Sequence, residues 1–175
     1  MNRVAERLKE LEREIQGFRL ETLKENELFL TVVLHATTTA LRSHQEEKLR
    51  ALQNAIVNCA RKISIQENLQ LLFLNAVDDL TPLHLQILKC FQNPPQWLNE
   101  HEIKFRPSMG GAGSGLEAAF PGLRREIYDP IVMDLFNRGL VNADKTVLHA
   151  MMGESGILSS RITELGTQFL KYIEA

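Results

Sequence analysis

Aromatic residues are scarce in this sequence. Eight Phe, two Tyr and one Trp make up 6% of 175 residues. A β-sandwich core draws on aromatic and β-branched side chains. Here the apolar supply is mainly Leu, Ile, Val and Ala, which favours helix packing. Cysteine occurs only twice, at Cys59 and Cys90, each at an apolar position of a predicted helix, so a disulfide framework is excluded and reduced core thiols are expected. No excess of one charge exists: 20 basic side chains face 22 acidic ones, and no global field draws the chain to nucleic acid or an anionic membrane. The most apolar run, Leu28 to Leu41, is interrupted by His35 and threonines and falls short of the roughly 18 apolar residues of a membrane span. No leader-like stretch opens the chain, and a cytoplasmic location is expected.

What is present is helical periodicity. Val4, Leu8, Leu11 and Ile15 form a narrow seam at spacings of four, three and four, flanked by charges. Two heptads are too few to stand alone. This first helix therefore needs a partner: it is expected to pack in the chain's own bundle, the alternative being a homodimer through these four residues. A second helix spans about 24–42. Ser43 with Glu46, and Ser64 with Glu67, read as capping boxes opening two more. Thr81-Pro82 starts a helix that Asn93-Pro94-Pro95 ends. Residues 106–115, ending in Gly110-Gly111-Ala112-Gly113-Ser114-Gly115, read as a mobile loop, with Ser114 capping a short helix over 116–120. In the next helix, 124–138, Pro130 predicts a break capped by Asp129. Leu140-Val141 and a stretch near Ile157 to Ile162 read as short strands, and Thr163 caps a last helix.

Three segments carry a resemblance. Leu80-Thr81-Pro82-Leu83-His84-Leu85-Gln86-Ile87-Leu88 resembles the first helix of a winged helix. Leu135-Phe136-Asn137-Arg138-Gly139-Leu140-Val141 resembles the end of its recognition helix passing into the wing, and Ser160 to Leu170 resembles its strand-to-helix exit. The whole is similar to uncharacterised bacterial helical proteins with such a C-terminal domain and, more distantly, to phage abortive-infection factors. The expected fold is thus mainly α: a helical region over 1–78, then a winged-helix-like domain with a small β-wing over 79–175.

Winged helices bind DNA by default, but the charges oppose this reading. From residue 79 to 175, nine basic side chains stand against eleven acidic ones. The recognition segment 129–136 holds two acids and no base. The five histidines show no metal-like spacing. The glycine segment lacks the Lys-Ser/Thr of a phosphate loop, and no serine or cysteine sits in a nucleophile context. No catalytic residue, cofactor or metal is expected.

The expected function is a non-enzymatic protein-interaction module in bacterial defence or regulation. Its contact residues are Met151, Met152, Ile157 and Leu158 in the wing. The alternative is a DNA-binding regulator using Arg124, Arg125, Arg138 and Lys145.

Overall fold

In the computed structural model, the described residues are 5, 6, 9, 10, 12, 13, 19–62, 64–106 and 109–174. The seam residues Val4, Leu8, Leu11 and Ile15 lie outside them. The protein is mainly helical, with a single two-stranded sheet among the described residues. None of the described helices is long and apolar enough to cross a membrane. The chain divides into two compact units, residues 1–82 with 168–175, and residues 83–167.

The first unit contains α1 (Leu20–Leu23), α2 (Glu27–Arg42), α3 (Glu46–Ala60) and α4 (Glu67–Asp79). Asn26 caps α2, its Oδ1 accepting from the Phe29 amide at 3.0 Å. The two expected capping boxes do not form. Helix α3 starts three residues after Ser43, with Gln45 at its N-cap. Glu46 turns outward to Arg50 (2.6 Å), while Ser43 Oγ accepts only from the Gln45 amide. Likewise Gln66, not Ser64, precedes α4. The end of α4 meets two cations: Lys48 Nζ donates to the Asp78 backbone carbonyl at 2.7 Å, and Arg42 pairs with the Asp78 carboxylate at 2.8 Å. Phe73 is fully buried and stacks edge-on against Phe169, with Tyr172 tilted beside it. The last helix ends in this unit, where buried Asn58 Nδ2 reaches the carbonyls of Lys171, Tyr172 and Glu174, and Asn54 reaches that of Ile173. These amides satisfy the carbonyls that a helix terminus leaves open.

The second unit begins with α5 (Pro82–Gln92, shared at its first residue) and α6 (Pro94–Glu100). Then follow β1 (Met109–Gly110), α7 (Ala112–Ala119), α8 (Arg125–Asn137), α9 (Lys145–His149), β2 (Met152–Gly153) and α10 (Glu154–Ile157). Helix α11 (Glu164–Ile173) starts here and crosses into the first unit. Asn93 and the two prolines end α5 but also launch α6, because Asn93 Oδ1 accepts from the Gln96 amide and proline fits the first helical turn. Trp97 is therefore helical and stacks on His101.

Helix α8 runs through Pro130 unbroken. The proline is exposed and removes only the donor to the Glu126 carbonyl, which lies on an exposed residue and can face water. Its end is a full Schellman motif: Gly139, at φ +71, donates to Phe136, and Leu140 donates to Leu135. The chain then makes a single antiparallel bridge, Val141 with Ile162. Ile157 is not in a strand but ends the helical turn α10. Thr163 caps α11, its Oγ1 accepting from the Gly166 amide while donating to the Gly139 carbonyl.

Candidate interaction surface

The residues 109–115 do not form an open loop but a strand followed by a helix. Their glycines permit close approach. A Cβ on Gly111 would overlap the Leu148 carbonyl, and one on Gly113 would press on the Tyr128 hydroxyl. Ser114 lies within α7 rather than at its cap, its hydroxyl donating to the Gly111 carbonyl at 2.7 Å. Tyr128 is buried and donates to Glu117 at 3.0 Å. Burial, and then that bond, push its phenol up to about 12.

This packing holds the ribbon. Met109 pairs with Gly153 and Gly110 with Met152, antiparallel. Side chains alternate along a strand and match across a pair. Met109 therefore shares its side of the ribbon with Met151, two residues before Gly153. Both are open to solvent, 65% and 69% exposed. Met152 turns the other way. It is half-buried, and its sulfur accepts from Arg161 Nη2 at 3.4 Å, while the same nitrogen donates to the Gly156 carbonyl at 2.7 Å. Ile157 is buried against Gly110 and Gly115, and Leu158 is half-buried. Of the four wing residues expected to make contact, Met151 alone is exposed.

On helix α8 the exposed Ile127 and Phe136 stand nine residues apart, on opposite flanks of the buried side formed by Tyr128, Val132 and Leu135. The charges of the helix pair with one another: Arg125 with Asp129 at 3.4 Å and Arg138 with Asp134 at 3.1 Å. Arg124, at its N-cap, lies 3.6 Å from Glu126, and Lys145 is exposed at the start of α9. The four cations named for DNA are thus spread over both ends of α8 and over α9, three of them beside carboxylates. Two histidines bind the same acids, His149 to Asp129 and His84 to Asp134. Cys59 and Cys90 are buried, and desolvation raises their thiols to about 11 and about 12, leaving neither as a nucleophile near neutral pH.

Met109 was visible in the sequence only as one apolar residue in a Pro/Gly-rich stretch. Its pairing with Gly153 joins segments more than forty residues apart, and no local pattern announces it. Ile127 and Phe136 fall at the two edges of the buried stripe of an amphipathic helix, where the sequence pattern does not separate buried from exposed. No family model, curated protein or solved structure matches the chain.

Proposed function

We propose that this chain is a non-enzymatic protein-interaction module. Its contact surface is the Met109/Met151 side of the ribbon. The observation that carries the reading is the pair of methionines, 65% and 69% exposed on one side of a ribbon whose backbone is fixed by buried glycine packing. Unbranched thioether side chains on a fixed backbone suit an apolar partner surface. The pairing of Arg124, Arg125 and Arg138 with carboxylates of α8 leaves little net charge of either sign there, and so little positive charge for a phosphate backbone. The order α5, α7, α8, then the Val141–Ile162 bridge, supports reading this unit as winged-helix-like. A role in bacterial defence or regulation rests on the resemblance to abortive-infection factors alone.

The test compares full-length protein with Met109→Asp/Met151→Asp as bait. A protein retained by the first and lost by the second, at equal thermal stability, supports the reading. Equal retention overturns it. Salt-dependent duplex binding lost in Arg124→Ala/Arg125→Ala replaces it with DNA recognition.

A further inference from the structure

Arg161 is half-buried and anchored through its backbone. Its amide donates to the Phe91 carbonyl at 2.8 Å, and its carbonyl accepts from the Asn142 amide at 2.6 Å. From this fixed point the guanidinium reaches back over β2 and α10. Nη2 donates to the Gly156 carbonyl at 2.7 Å and to the Met152 sulfur at 3.4 Å. Nε, on the same edge of the planar fork, is buried and has no hydrogen-bond partner among the described residues. That edge is shaped to hold a strong oxygen acceptor with two parallel N–H groups. Here it meets only a thioether, a weak acceptor, and one of its two donors is left open. The sulfur itself lies against bare backbone: a Cβ on Gly156 would stand 3.1 Å from it. Met152 is half-buried, so a small solute can reach the thioether.

We propose that Met152 is a site of reversible oxidation whose sulfoxide Arg161 holds. The oxidant is hydrogen peroxide. An S–O bond forms as the O–O bond breaks. The sulfur gives up two electrons and the peroxide is reduced. The departing hydroxide takes the proton of the transferred oxygen and leaves as water. The new oxygen is a strong acceptor one bond from the sulfur, and the flexible, unbranched methionine can turn it onto the Nε–Nη2 edge. Oxidation of a packed methionine ordinarily disrupts its surroundings, because an apolar group becomes polar. At this site it supplies the acceptor that a buried donor lacks, and so offsets that loss. Met109 and Met151 lie on the other side of the ribbon, open to solvent, and their sulfoxides gain no such partner. Methionine sulfoxide reductases return the thioether. The site does not depend on the Met109/Met151 contact surface.

The test uses the full chain carrying Met109→Leu/Met133→Leu/Met151→Leu, so that Met1 is the one methionine left beside Met152. The folded protein is treated with hydrogen peroxide and mapped by peptide mass. Met152 is expected to gain one oxygen, and the oxidised protein to melt within about 1 °C of the reduced one or above it. Arg161→Lys, made in the same chain, keeps the charge but loses the paired edge. Oxidation there should lower the melting temperature by about 3 °C or more. A Met152 that resists peroxide until the protein unfolds overturns the site. An equal fall in melting temperature with Arg161 and with Lys overturns the role of Arg161. A second readout needs no oxidant and no change at Arg161. Met152→Gln sets a carbonyl oxygen beside Nε and should melt above Met152→Leu, and the reverse order overturns the proposal.

Discussion

His149 Nε2 lies 3.1 Å from both carboxylate oxygens of Asp129. Asp129 also receives Arg125 from one turn earlier on α8. One partly buried carboxylate thus ties the end of α9, two residues before Met151, to the helix beneath it. A double-mutant cycle on His149→Ala and Asp129→Ala should give a coupling of about 1 kcal/mol in urea unfolding, above the value for an exposed pair. Amide exchange in the ribbon should quicken in both single variants. A coupling near zero would mean that backbone packing alone holds this end of α9.

That packing has its own test. Gly111 cannot gain a Cβ without meeting the Leu148 carbonyl, whereas a Cβ on Gly153 meets nothing, and Gly153 keeps an ordinary φ of −77. Gly111→Ala should therefore cost about 2 kcal/mol or more, and Gly153→Ala should be nearly neutral, as steric conflict with backbone has no cheap escape. Equal effects at the two sites would sink this account of the segment.

The contrast shows what local pattern reveals. The Leu135 to Val141 stretch was legible because each signal is local: apolar positions at helical spacing, then a glycine that the left-handed cap requires. The Gly110 to Gly115 stretch was misread because the same residue type serves mobility in a linker and close packing in a core. Only Leu148 and Tyr128, brought from 35 and 15 residues away, decide between them. Pro130 was misread because its cost depends on whether the orphaned carbonyl faces water. Ser43 and Ser64 carried the right spacing for a cap, yet both helices begin later, at Glu46 and Glu67. At the candidate surface, Met109 and Met151 each stand out as apolar residues of turn-rich segments, but the strand pairing that brings those segments together is not a local signal.

Alkaline pH should unfold the protein by a definable route. Burial raises Cys59 from 9 to about 11, Cys90 from 9 to about 12 and Tyr128 from 10 to about 12, and it raises Tyr172 as well. Between the unfolded and folded values the native state holds protons that the unfolded chain has released. Stability is therefore fully present below about pH 9 and falls as pH rises toward 12, by up to about 1.4 kcal/mol per pH unit for each such group. Urea midpoints taken from pH 8 to 11 should decline, and the decline should be shallower in Cys90→Ala. An unchanged slope in that variant would show that the Cys90 thiol does not contribute.

The last helix is held at its C-terminus by side chains distant in sequence. Asn58 is 3% exposed, and its Nδ2 lies 3.2, 3.0 and 2.7 Å from the carbonyls of Lys171, Tyr172 and Glu174. Replacing it with leucine of similar volume removes the donor while leaving the carbonyls in place. Buried acceptors without partners lose their hydration for nothing in return, so Asn58→Leu should destabilise by about 1–3 kcal/mol. Asn54 is only part-buried and makes one such bond, to Ile173 at 2.9 Å, so water can replace it and Asn54→Ala should cost less, about 1 kcal/mol. Near-ultraviolet dichroism gives the local readout, because Tyr172 packs against Phe73 within the same unit. Asn58→Leu should diminish that signal before the helical signal melts. If the two signals melt together at the wild-type midpoint, the asparagine amides do not secure the last turn of α11.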